Sequence, residues 1–178
     1  MSPAALFFGL SVLAQSDVNP QAAALQDFEK RIDEYVNLQK RLQKGLPSTK
    51  PTAEPQTILD RQHELARKIR EARGQVQQGS IFTPEISKEF HRLLGLARTG
   101  SNDVHIKKSL ERAEPVHLTL HVNDAYPANI PLQSTPPTIL LNLPRLPPEL
   151  EYRIAGHALV IRDTAANIIV DLMPDAIS

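Results

Sequence analysis

The sequence predicts an α+β protein: an N-terminal antiparallel helical pair and a third helix, followed by a small antiparallel β-sheet built from a C-terminal three-stranded meander plus one strand near 116–122. Three observations predict it. Apolar residues recur at three- and four-residue steps through residues 25–76, alternation at period two begins after residue 115, and eight of the 15 prolines fall within 115–148, between the two regimes. The matching division is a signal peptide over 1–14, a helical hairpin over 15–79, and an α+β domain over 80–178 with a proline-rich connector.

In chain order, residues 4–14 form an uncharged apolar run of signal-peptide length, ended by the small-residue spacing of Val12-Leu13-Ala14 and followed by polar Gln15-Ser16-Asp17. No Lys or Arg precedes the run, which leaves the start codon open. The run is too short to span a bilayer, and the reading is an exported protein, periplasmic or secreted. Residues 21–44 then form the clearest helix, with Leu25, Phe28, Ile32, Tyr35 and Leu42 on one stripe, Val36 and Leu38 widening it, and Asp27, Glu29, Lys30, Arg31, Asp33 and Glu34 opposite. Gly45 fits the C′ position, and Pro47, Pro51 and Pro55 make residues 46–56 a connector. A second helix over 57–78 repeats the pattern through Ile58, Leu65, Ile69, Ala72 and Val76, which suggests an antiparallel pair. The third begins at Thr83-Pro84-Glu85, with Thr as N-cap and Pro at N1, buries Ile86, Phe90, Leu93, Leu94 and Ala97, and ends before Thr99-Gly100. A short fourth helix over 102–112 would turn Ile106 and Leu110 inward.

Val116, Leu118, Leu120 and Val122 alternate with His117, Thr119, His121 and Asn123, the pattern of a half-buried strand. Residues 135–143 read as one short helix closed by Pro144. In the meander, Gly156-His157 has the composition of a type II′ turn, because its first central residue needs positive φ. That closes Ala155 on Ala158 and sets Ile154 against Leu159, Tyr152 against Ile161 and Glu151 against Arg162. A two- or four-residue loop around 164–167 would place Ile161 against Val170 and Leu159 against Leu172, giving an apolar face of Tyr152, Ile154, Leu159, Ile161, Ile168, Val170 and Leu172.

The succession Val122-Asn123-Asp124-Ala125-Tyr126-Pro127, Pro136-Pro137, Leu143-Pro144, Leu146-Pro147, Leu150-Glu151-Tyr152-Arg153, Gly156, Leu159, Asp163, Ala166-Asn167 and Ile169-Val170-Asp171 resembles a group of uncharacterised exported proteins of environmental bacteria. The resemblance covers about residues 83–178 and implies export and this α+β arrangement, with no assigned activity. The spacing of Tyr-Arg, Gly, Leu, Asp and Ile-Val-Asp also resembles, more weakly, the C-terminal module of the periplasmic nickel/cobalt-homeostasis family.

Composition narrows the chemistry. A formal net charge of zero argues against a nucleic-acid or anionic-membrane surface, and the lack of cysteine removes disulfides, thiolate metal sites and cysteine nucleophiles. No pattern implies a cofactor. His117 and His121 are the best metal candidates, yet on a strand they stand roughly 13 Å apart on one face, too far to share an ion. His63-Glu64 opens like a zincin helix but Arg67 takes the second ligand's place. His91 reads as helix surface and His157 as part of its turn. Asp163, just before a turn, fits an Asx-type cap, while Asp171, expected across from Val160, belongs to an exposed polar face. Tyr152, Arg153, Gly156, Leu159, Asp163, Asn167, Val170 and Asp171 are thus structural. The functional expectation is a non-enzymatic exported interaction or structural protein, working through a protein partner or self-association of its helical hairpin. A periplasmic metal-responsive accessory and an envelope hydrolase are the alternatives.

Overall fold

The computed structural model describes residues 19–47, 54–97, 119–127 and 141–177. Helix α1 (Pro20–Lys44) starts where the Asn19 side chain accepts the Gln21 N–H at 3.0 Å, and Pro20 takes the first helical position, where no N–H is needed. Its inward stripe is Ala24, Phe28, Ile32, Tyr35, Val36 and Gln39. Helix α2 (Pro55–Arg73) buries only Leu65, Ala66 and Ile69. In helix α3 (Pro84–Ala97), Thr83 Oγ1 accepts the Ile86 N–H, and Ile86, Phe90 and Leu94 point inward.

Strands β1 (Leu150–Ala155), β2 (Ala158–Asp163) and β3 (Ile168–Met173) form an antiparallel meander in the order β1-β2-β3. The chain is therefore α+β, with the three helices on one face of the sheet. One hydrophobic core joins the inward stripes of all three helices to Tyr152, Ile154, Leu159, Ile161, Ile168, Val170 and Met173. Phe28, Phe82 and Phe90 sit at its centre with ring centroids 4.8 to 6.2 Å apart, and Phe90 reaches Tyr152 of β1 at 6.3 Å. The helical pair packs over the sheet rather than projecting from it.

The first hairpin has the expected register, Ala155 on Ala158 through Glu151 on Arg162, with Gly156 at φ 60°. His157 is not in the positive-φ region, which matches a II′ rather than a I′ turn. The second connection is a four-residue loop, and Asp163 pairs with Ile168 and Arg162 with Ile169 in the expected register. A β-bulge then intervenes: Ile161 pairs with Asp171 rather than Val170, Val160 with Leu172, and Leu159 with Met173 rather than Leu172. The extra residue, Val170, puts two consecutive side chains on the helix side of β3, as bulges do. Leu172 consequently leaves the expected apolar face and joins Tyr126, Val160 and Ile169 in a second cluster on the outer face.

Other expectations need correction. Helix α2 stops at Arg73, not near residue 78, because Gly74 adopts φ 58° and its N–H closes on Arg70 O. Gly45 ends α1 at φ −82°, so it makes no use of left-handed freedom. Ile58 and Ala72 face solvent, not the core. Residues 119–122 belong to no strand; the chain instead reaches the open edge of β3 slightly later, through an isolated bridge of Ala125 to Ile168. There the Asn123 N–H (φ 71°) donates to Ile169 O, the Ile169 N–H donates to Asp124 O, and the Tyr126 N–H donates to Asn167 O. Residues 141–143 form a turn, not the end of a helix, with Leu143 buried. The apolar run 1–14, the expected helix over 102–112, and residues 116–118 and 135–140 lie outside the described residues.

Phe90 is fully buried at the junction of α1, α3 and β1. Phe90→Ala is expected to cost about 3–5 kcal/mol in denaturant unfolding, against no more than about 0.5 kcal/mol for exposed Ile58→Ala.

Candidate functional site

Two carboxylates are sealed into the molecule. Asp163 and Asp171 are both 0% exposed, and a buried carboxylate is tolerated only where donors replace its water. At the end of β2, Asp163 Oδ1 accepts from Ala165 N at 2.9 Å and Ala166 N at 2.8 Å, the Asx-type cap expected from sequence. Its Oδ2 takes the Tyr35 hydroxyl of α1 at 2.8 Å, while the Gln39 amide stands at the limit of hydrogen-bond range from Oδ1. Burial pushes the Asp163 carboxyl above its ordinary value, opposed by these hydrogen bonds. Tyr35 is pushed well up by burial and by the neighbouring Asp163 charge, with Arg73 opposing.

Asp171 was expected on an exposed polar face, and the bulge overturns this by turning it inward. Its Oδ2 accepts Ile81 N at 2.6 Å and Phe82 N at 2.8 Å; its Oδ1 accepts Gly79 N and its own neighbour Leu172 N, both at 2.9 Å. Four backbone N–H groups thus converge on one side chain. Arg73, the last residue of α2, reaches across to donate to Val170 O at 2.9 Å and to Asn123 Oδ1 at 2.7 Å, while its guanidinium stacks over the Tyr35 ring at 5.2 Å. Burial pulls Arg73 below its usual value, with Tyr35 and Asp171 opposing, and it remains a cation. These groups tie α1, α2 and the 79–82 turn to the sheet.

The outer face of the sheet is different. Glu151 accepts from Arg153 at 2.6 Å and from Arg162, its cross-strand partner, so the expected opposite-charge pair is present and doubled. Arg162 also donates to Asn167 Oδ1 at 2.8 Å and lies 5.4 Å from the Tyr126 ring centroid. Asn167 holds φ 52°, a conformation asparagine tolerates better than most residues, and closes the β2–β3 loop. Burial pushes Tyr126 up, opposed by Arg153 and Arg162.

The remaining sequence candidates are scattered. Tyr152 is buried and donates to Pro144 O at 3.0 Å, and Leu159 is wholly inside the core. His121 is exposed beside Asp124, with Nδ1 to Oδ2 at 3.1 Å, and belongs to no strand; His117 lies outside the described residues. His63 and His91 are exposed on their helices. Among the described residues, no three His, Cys, Asp or Glu side chains come together to hold a metal ion. His157 is more than a turn residue: its Nδ1 donates to Ile177 O at 2.6 Å while Ile177 N returns a bond to His157 O at 3.1 Å. Tyr35, Gln39, Arg73 and Tyr126 were not expected in a polar site. Gln39 left a signal, since it falls on the buried stripe at the fourth residue after Tyr35 and the seventh after Ile32.

No helix among the described residues is long and apolar enough to cross a membrane. No protein-family model, curated protein or solved structure matches this chain.

The two acids respond differently to amidation. In Asp171→Asn one oxygen becomes a donor facing backbone N–H groups that have no other acceptor, so a loss of about 3 kcal/mol or more is expected in denaturant unfolding. Asp163→Asn keeps the Asx cap and can donate to the Tyr35 oxygen, so about 1 kcal/mol is expected.

All three tyrosines of the chain, Tyr35, Tyr126 and Tyr152, are pushed above the ordinary phenol value by burial, and there is no tryptophan. A raised folded value gives stability that is complete below the unfolded value of about 10 and is lost as pH climbs through the folded one. Tyrosinate absorbance is therefore expected to stay flat through pH 10 and to rise only with cooperative unfolding; a step worth one tyrosine in the native state would contradict this.

Proposed function

We propose that the protein is an exported, non-enzymatic interaction protein that engages a protein partner through the first turns of α2. The observation that carries the reading is that Ile58 and Leu59 are 54% and 44% exposed on a stretch of helix, residues 55–60, where every residue is exposed. The buried contacts of α2 begin only at Leu65. Arg61 anchors the stretch to Pro47 O beyond the end of α1, so two adjacent aliphatic side chains overhang the body of the fold. A helical turn without a packed face is marginal in water. Contact with a partner supplies the missing face. The buried acids also support a binding role over catalysis, because their acceptor capacity is spent on backbone and helix contacts. Export rests on the apolar run of residues 4–14 and on the likeness to exported proteins.

A photo-crosslinking residue at position 58 of the full chain, in cells that produce it, tests this reading against the same residue at exposed Lys88 of α3. A discrete protein adduct is expected at 58 only, and Leu59→Asp is expected to remove it while leaving stability within about 0.5 kcal/mol. Equal or absent adducts at the two positions would overturn the reading.

A further inference from the structure

Asp163 is buried without a counter-ion. Its partners are Tyr35, Gln39 and two backbone N–H groups, and among the described residues no Lys, Arg or His forms an ion pair with it. Beside it, Gln39 Oε1 is a buried acceptor that no donor reaches. Tyr35 and Gln39 stand one turn apart on α1 and converge on the same carboxyl, the hydroxyl at 2.8 Å from Oδ2 and the amide nitrogen at 3.5 Å from Oδ1. The tyrosine hydrogen serves the carboxylate, and nothing serves the amide oxygen. In a region closed to water the cluster is therefore one hydrogen short, and an unmade bond there is costly.

The surrounding charges are spent elsewhere. Lys40, next to Gln39 on α1, pairs with Glu149 at 2.9 Å and holds that carboxyl below its ordinary value. Glu149 meets the loop after Asp163 through its carbonyl, which accepts from Thr164 N and Oγ1. Arg73 of α2 lies over the Tyr35 ring and donates to Val170 O and Asn123 Oδ1. Across from Asp163 stand Leu150 of β1 and Ile168 of β3, neither of which titrates, and Asp171 of β3 is held by four backbone N–H groups. Burial lifts the Asp163 carboxyl above its ordinary value, its hydrogen bonds oppose this, and no cation does. We propose that Asp163 is a proton-operated latch: in mild acid it binds one proton from solvent on Oδ2, donates it to the Tyr35 oxygen, and Tyr35 turns its own hydrogen to Gln39 Oε1. The single proton taken up accounts for the extra donor. Two hydrogen bonds then stand where the charged form has one, so α1 is held to the end of β2 more firmly in acid than at neutrality. The latch is independent of the α2 surface.

The sign follows from linkage. The folded value lies above the unfolded one of about 3.9, so the latch's contribution is complete below about 3.9 and is lost as pH rises through the folded value. The test titrates the full carbon-13-labelled chain from neutrality to about pH 3.5, at fixed ionic strength, across that window. The Asp163 carboxyl carbon, assigned through its own amide, is expected to titrate in the native protein with a midpoint above about 3.9. Near-ultraviolet tyrosine absorbance is expected to shift with the same midpoint, and Tyr35→Phe, which keeps the ring, is expected to lose that shift. In denaturant unfolding, the unfolding constant of the parent relative to Asp163→Asn is expected to fall at least about threefold between neutrality and the lower end of the window. A carboxyl midpoint at or below about 3.9, unfolding before the carboxyl titrates, a tyrosine shift that is missing or survives in Tyr35→Phe, or a parent-to-variant ratio that is constant or rises in acid would overturn the proposal. The carbon and tyrosine signals of the parent decide the matter even where Asp163→Asn fails to fold.

Discussion

A single carboxylate turned the wrong way round fixes this architecture. In a regular ladder, Asp171 would follow inward-facing Val170 and point outward to solvent with the polar residues. The bulge in β3 breaks the alternation, so Val170 and Asp171 both face the helices. Once inside, an acidic group must find donors. It takes them from the backbone of residues 79–82, a stretch that is neither helix nor strand, and that stretch is the link between α2 and α3. Because Phe82 follows directly, the same bonds set the position of the ring that packs against Phe28 and Phe90. The bulge, the acid, the turn and the aromatic cluster therefore form one dependent chain.

The second buried acid lies where β2 ends, two residues along from the Ile161 that pairs with Asp171, and the two differ in kind. Asp163 caps its own loop and receives α1 through the Tyr35 hydroxyl, a partner that can either donate or accept. Asp171 receives only backbone N–H groups, which cannot reverse their role. Between them stands Arg73, stacked on Tyr35 and bonded to the carbonyl of the bulge itself. The helix-facing side of the sheet is thus packed shut around the two acids. Outside that packed layer lie the outer face of the sheet and the exposed start of α2.

Much of this was legible in the sequence, and the failures share a cause. Periodicity placed the three helices of the described residues, and Gly156 with side-chain parity gave the first hairpin pair by pair. Parity arguments assume an unbroken ladder, however, and one inserted residue moves every later side chain to the other face. Nothing local in Ile168-Ile169-Val170-Asp171-Leu172 marks the insertion, since its cause lies ninety residues away in the N–H groups awaiting an acceptor. The same assumption sent Asp171 outward and Leu172 inward. Val76 continues the apolar stripe past Gly74, which makes α2 read longer than it is, and Ile58 shares the stripe of Leu65 and Ile69 although the packing partner ends before it. The outer-face cluster was half visible. Cross-strand pairing brought Glu151 to Arg162, but Tyr126 arrives from a proline-rich segment whose path no periodicity describes.

Native-state hydrogen exchange at the amides of Gly79, Ile81 and Phe82 tests most directly whether Asp171 organises the fold. If it does, these turn amides exchange as slowly as those of the paired strands β2 and β3, opening only with global unfolding. Exchange at the rate of an exposed loop, with the strands still protected, would show that the turn is held by its surroundings and that the inward carboxylate is a passenger.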